Sequence, residues 1–163
     1  MQKAPKLYLA GPDVFLNDDT GIQKKALCMN AGYTPLYPLD NEISGDNAAQ
    51  EILDANLKMI EEADVVIANI SPFRGPHCDP GTAFEIGYAV QSRKRILLYS
   101  NDSRPLITRI KEDFPNVYAD NTSIEDFGLT ENLMLSKIAE PVCVDDRSDQ
   151  GAMKAFAQAL NHI

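Results

Sequence analysis

Cysteine is scarce in this 163-residue chain: Cys28, Cys78 and Cys143 are three in number, widely spaced and free of any C-x-x-C pair. That excludes a disulfide framework and a cysteine-built zinc site. Long apolar runs are missing too; none approaches the ~20 residues needed to cross a bilayer, and no segment has the charged-then-apolar pattern of a secretory leader. A cytoplasmic protein with no membrane partner is therefore expected. Positive charge is in short supply, with 15 Lys and Arg against 24 Asp and Glu, a formal net charge of −9 and a pI near 4.6. Such a field opposes nucleic acid and anionic surfaces, so a neutral small molecule is the expected partner. Repeats, low-complexity tracts and linkers are absent, and the length suits one domain with one core over residues 1–163.

What is present alternates. "KLYLAG" (Lys6 to Gly11) reads as a first strand closed by Gly11-Pro12, a helix follows between Thr20 and Ala31, and "TPLYPLD" (Thr34 to Asp40) carries two prolines that suit an edge strand. Ala49, Ile52, Leu53, Leu57 and Ile60 recur at helical spacing over Ala48 to Glu62, with Asp54 and Lys58 as an outer i, i+4 pair. "DVVIANI" (Asp64 to Ile70) is the strongest central strand; a helix over Pro80 to Ser92, strands at "RILLY" (Arg95 to Tyr99) and "PVCV" (Pro141 to Val144), and a helix over Gln150 to Leu160 complete the pattern. Asn101 to Asn132 reads as a long loop carrying some helix and an interface.

Strands alternating with helices imply an α/β fold: a single-domain, flavodoxin- or Rossmann-like three-layer sandwich around a mostly parallel five-stranded sheet. Ligands of such folds bind beyond the carboxyl ends of the strands. Four polar places are expected to meet there: Ala10 to Asp13, Asp40 to Glu42, Asn69 to Ser71 with its following loop, and Tyr99 to Asn101.

Glu85 is anomalous within "AFEIGYAV". Its helical neighbours Gly81, Thr82, Tyr88 and Ala89 include no cation, so its carboxylate has no local partner and is expected to be unpaired and ionised. Phe84, Ile86 and Val90 are expected to face the core, leaving Gly81, Thr82, Ala89 and Ser92 as a face of small residues. The ordinary reading is a solvated glutamate at a helix edge. Asp79, before Pro80, is a natural N-cap, and it also lies six residues from Glu85 across a strand-to-helix turn. Two carboxylates about one small ligand suit work at a glycosidic bond, one engaging the anomeric carbon and the other handling the leaving group's proton. Asn56 interrupts the apolar stripe of its helix, so its amide points into the core or into a cavity. Tyr8 is a core candidate by position. His77 beside Cys78 is too little for a metal site. The first turn, "AGPDVFLNDD", has one glycine, no arginine and three acids, Asp13, Asp18 and Asp19, and would repel a phosphate.

"LYLAGPDVF", "PLDNE", "NLKMIEEADVVIANISPFRG", "DPGTAFEIGYA" and "NLMLS" occur in this order from Leu7 to Ser136. Together they resemble the nucleoside 2-deoxyribosyltransferases. The resemblance implies that Glu85 is the nucleophile, that Asp79 binds substrate and handles the base's proton, and that Tyr8 holds the nucleophile. It further implies Gly11, Asp13, Phe15, Glu42, Asn56 and Gly81 as substrate-lining residues. Asn132 and Met134 would be contributed to the site of an adjacent subunit, which makes the enzyme a homo-oligomer. The substrates implied are a 2'-deoxynucleoside donor and a free nucleobase acceptor, with no metal and no organic cofactor. Asn56 stands where some members have aspartate and Glu42 where some have glutamine, and the terminal Asn161-His162-Ile163 lacks the tyrosine with which some members end. The alternatives are a deoxynucleoside or deoxynucleotide N-glycoside hydrolase on the same fold, a phosphoribohydrolase of the cytokinin-activating type echoed by "PGTAFE", and a non-catalytic nucleoside-sensing module.

Overall fold

The sheet is organised around Val65–Asn69 (β3), whose five residues are all buried. In this computed structural model, which describes residues 3–40, 43–117 and 122–163, β3 lies between Lys6–Ala10 (β1) and Arg95–Ser100 (β4). Thr34–Leu36 (β2) pairs outside β1, and Val142–Cys143 (β5) outside β4. The order is β2-β1-β3-β4-β5, and every pairing is parallel. The prolines of the second strand do mark an edge: β2 ends at Leu36 and Pro38–Asp40 turns into a short 3-10 segment.

Side-chain alternation divides the core into two. Leu7, Leu9, Val65, Ile67 and Tyr99 face Thr20–Asn30 (α1) and Asp149–Leu160 (α6), where Cys28, Ala155, Phe156 and Ala159 cover them. Tyr8, Ala10, Val66, Ala68 and Leu98 face Ala48–Glu62 (α2) and Pro80–Gln91 (α3), where Ile60, Ile86 and Ala89 cover them. A parallel sheet needs both faces covered, and its central strands read as continuous apolar runs for that reason. The segment expected as a long loop contains Leu106–Asp113 (α4), and the one-turn helix Leu133–Ser136 (α5) follows it. None of the described helices is long and apolar enough to cross a membrane.

Two faces differ from expectation. On α3, Ile86 is buried, but Phe84 is 54% and Val90 45% exposed, while Thr82 and Ala89 are buried. The helix is apolar nearly all round, so its composition does not say which side meets the sheet. On α2 the stripe buries Ile60 fully and leaves Ile52 and Leu53 exposed, and Asp54 accepts a bond from Gln50 (2.9 Å) in place of pairing with Lys58.

Candidate active site

Tyr8 is fully buried on the α2/α3 side of β1, and its hydroxyl donates to Glu85 Oε1 at 2.6 Å across 77 residues of sequence. Glu85 therefore has a partner, but a neutral one. Burial pushes its carboxyl up to about 7; the Tyr8 bond pulls against this, and the nearby charge of Asp79 adds to it. Burial first, and then the Glu85 charge, raise the Tyr8 phenol well above its ordinary range, so it stays a donor. The expectation of an outright ionised Glu85 is corrected accordingly: near neutral pH the carboxyl is poised between its two forms. That is the range in which a group can exchange a proton and still act as a nucleophile.

Asp79 caps α3. Its Oδ2 accepts from the Thr82 amide at 2.8 Å and from the Thr82 hydroxyl at 3.2 Å, and the residue is 8% exposed. A Cβ on Gly81 would stand 3.0 Å from that oxygen, so glycine leaves the carboxylate room. Helix α2 links β2 to β3 across the intervening β1, α3 links the neighbouring β3 and β4, and both cover the same face of the parallel sheet. The Tyr88 hydroxyl donates to Glu61 Oε1 at 2.5 Å, tying α3 to α2. Asn56 Oδ1 is buried and makes no hydrogen bond, an unmet acceptor on α2.

The carboxyl ends of the strands converge as anticipated. Pro12, Asp13, Asn69, Ser71 and Asn101 line one cleft, of about 70 Å³. Asp13, Tyr37 and Asp40 line a neighbouring one of about 200 Å³. Asp13 is common to both. It is 6% exposed, is ion-paired with the buried Lys24 and accepts from Asn69 Nδ2 at 3.4 Å. A Cβ on Gly11 would lie 2.7 Å from Asp13 Oδ2 and 2.9 Å from Asn69 Cβ, so the close approach requires glycine. The Lys24 pairing removes Asp13 from the three unbalanced acids expected to repel a phosphate. Phe15, 51% exposed, stacks on Phe73 with centroids 5.6 Å apart, and the Arg74 guanidinium sits 5.1 and 4.7 Å from the two rings. Glu42 lies outside the described residues.

Asn132 and Met134 are elsewhere. They border a groove of about 590 Å³ together with Ala83, Gly87 and Val90 of α3. At about 100° per residue that stripe is on nearly the opposite side of α3 from Glu85. Within one chain, then, Asn132 and Met134 are separated from the Tyr8–Glu85 pair by the helix itself. Met134 is 71% exposed; Asn132 caps α5 through Oδ1 to the Met134 amide (3.0 Å) and donates from Nδ2 to Glu125 (2.7 Å).

The sequence profile of the nucleoside 2-deoxyribosyltransferases matches residues 7–134. The chain belongs to this family. The matched span runs from β1 to the start of α5 and so takes in Tyr8, Asn56, Asp79, Glu85, Asn132 and Met134 alike. Over 94% of the chain, the fold superposes on 97% of a 2-deoxyribosyltransferase from Leishmania mexicana at 36% identity and a TM-score of 0.75. It shares the fold of a CMP N-glycosidase from Clostridium botulinum at 17% identity and a TM-score of 0.51, covering 97% of this chain and 99% of that one. An uncharacterised protein of Schizosaccharomyces pombe is 31% identical over 111 residues, 63% of this chain; the match spans about half (53%) of that relative's length.

Three residues of this family member escaped the sequence reading. Lys24 falls with Thr20 and Cys28 on the i, i+4, i+8 buried stripe of α1, a lysine where an apolar residue belongs, and that was a usable signal. It also donates to the Tyr99 hydroxyl at 2.6 Å, and burial lowers its pKa against the opposing pull of Asp13. Phe73, the stacking partner of Phe15, sits in a loop with no periodicity to expose it. Glu131, 2% exposed, directly precedes the α5 cap, and nothing local distinguishes it from a solvated acid.

Proposed function

We propose that the protein transfers the 2-deoxyribosyl group of a 2'-deoxynucleoside to a free purine or pyrimidine base, with net retention, through a deoxyribosyl ester on Glu85. The observation that carries this reading is the 2.6 Å Tyr8–Glu85 bond: a carboxyl raised to about 7 and held in place by a neutral donor. A cation there would quench the nucleophile, and bulk water would solvate it.

A 2-deoxyribosyl centre lacks the electron-withdrawing 2-hydroxyl, so positive charge develops on its anomeric carbon more readily. Glu85 Oε attacks that carbon as the C–N bond to the base breaks, and the bonding pair leaves with the base nitrogen. Asp79 supplies or relays the proton that makes the base a tolerable leaving group, a contribution of about 10²–10⁴-fold in general acid catalysis. A second base then attacks the ester carbon from the opposite side, freeing the carboxylate and delivering its proton back. Two inversions give retention. Water attacking the same ester would give hydrolysis, so transfer requires the acceptor to exclude it.

Asn132 and Met134 serve the site of a neighbouring subunit in this reading. Their position across α3 from Glu85, and the exposure of Met134 and Val90 in the same groove, support it. Incubation with deoxyinosine, with and without adenine, tests the chemistry. Deoxyadenosine forms only when adenine is present, and Glu85→Ala abolishes it. Release of hypoxanthine at the same rate without adenine would make the protein a hydrolase, and exchange surviving in Glu85→Ala would remove the nucleophile assigned here.

A further inference from the structure

Two segments that are distant in sequence are stitched together beside the site by buried charged side chains. One is 76–79, which ends at Asp79; the other is 130–132, which begins the α5 turn. Among the described residues no backbone–backbone bond joins them directly. Glu131 does so instead: Oε2 accepts from the Cys78 amide at 2.8 Å, and Oε1 accepts from the Asn132 amide at 2.8 Å and lies 2.8 Å from His77 Nδ1. Its own backbone is clasped by Ser136, whose Oγ accepts from the Glu131 amide at 3.1 Å and donates to the Glu131 carbonyl at 3.0 Å. Arg109, 1% exposed, spans the same gap from Pro76 O (2.8 Å) to Thr130 O (2.9 Å), and is itself held by Asp102.

We propose that Glu131 is a positioning residue for deoxyribosyl transfer: by bridging the Cys78 and Asn132 amides it fixes the Asp79 carboxylate relative to the Asn132–Met134 segment. This rests on the function proposed above. Burying a carboxylate to make a stitch that apolar packing could make is unfavourable unless the geometry it imposes matters. The two ends it joins are the group that handles the leaving base's proton and the residues that face a neighbouring site. A misplacement of about 1 Å at such a group can cost on the order of 10²-fold in rate. Because one carboxylate holds both ends, substitution disturbs the chemical step and substrate binding together.

Glu131→Gln is nearly isosteric, but its single carbonyl oxygen cannot serve both amides, and its NH₂ is forced against one of them. The assay is pre-steady-state release of hypoxanthine from deoxyinosine, well below the melting temperature, so that burst amplitude counts working sites. The expected result is a burst rate per site lowered roughly tenfold or more, the scale of one charge-assisted hydrogen bond, with a raised KM for the donor. A residue that merely stabilises the fold would lower the melting temperature and the amplitude while leaving the rate per site alone. An unchanged rate and KM per counted site therefore overturns the proposal. Should Glu131→Gln fail to fold, Ser136→Ala loosens the Glu131 backbone that carries the carboxylate and is expected to act in the same direction by a smaller factor; wild-type kinetics per site in that variant overturn the proposal equally. A wild-type protein with neither burst nor exchange would instead remove the function on which the proposal rests.

Discussion

Replacing Tyr8 by Phe deletes one hydroxyl from a fully buried ring and leaves its volume in place. The lost bond is a 2.6 Å contact to a carboxylate, and hydrogen bonds to charged groups contribute about 1.5–3 kcal/mol. At about 1.4 kcal/mol per unit, that raises the Glu85 pKa by roughly one to two units. The wild-type midpoint near 7 thus moves to roughly 8–9 in the variant. The sign follows from the bond's role: it favours the ionised carboxylate, so its loss favours the protonated form, and protonated Glu85 cannot attack. At pH 7 the ionised fraction drops from about one half to between about a tenth and a hundredth, an activity loss of roughly 5–50-fold. The assay is kcat/KM for deoxyinosine–adenine exchange between pH 5 and 10. Wild type rises through a limb near 7; Tyr8→Phe rises later and approaches wild type at alkaline pH. A lowered plateau with an unmoved limb would mean that Tyr8 acts by geometry alone, and the electrostatic argument would be wrong.

Glu85→Gln keeps the acceptor for Tyr8 and removes the titration. The Glu85 pKa is raised in the fold, so its contribution to stability is intact below about pH 4.5 and is lost as pH rises through about 7. The variant should therefore match wild type in acid and exceed it above pH 8 by up to about 3 kcal/mol in urea unfolding, while losing exchange. Lys24→Met strands Asp13 in a site where it is 6% exposed and should cost about 3–5 kcal/mol; adding Asp13→Asn should recover much of that, as a double-mutant cycle will show. Asn56→Leu removes a buried acceptor that has no partner, so thermal melting should show no loss of stability and up to about 1 kcal/mol of gain, whereas base selectivity in competition assays should change.

The alternation of strands and helices was legible because a parallel sheet buried on both faces leaves continuous apolar runs, and β3 is the extreme case. The Asp79 cap was legible because Asp-Pro has few other uses at a helix start. The Tyr8–Glu85 contact was not visible in local pattern: the two are 77 residues apart, and only the β1-β3 pairing brings α3 over β1. Resemblance to a family supplied it, and the geometry agrees. The face of α3 was misjudged because a helix apolar all round does not encode which side meets the sheet. Phe84 and Val90 are exposed, and Val90 lines the groove of Asn132 and Met134. Lys24 and Glu131 were overlooked for a common reason: composition treats a charge as surface, and only the fold shows which charges are sealed inside with a partner.

Mass spectrometry of the acid-quenched protein after brief exposure to deoxyinosine, with no acceptor base, tests the central claim most directly. The account predicts one deoxyribosyl group on the peptide that contains Glu85, discharged when adenine is added before the quench and missing in Glu85→Gln. Hypoxanthine release at full rate with no adduct, or with the adduct on Asp79, would contradict it.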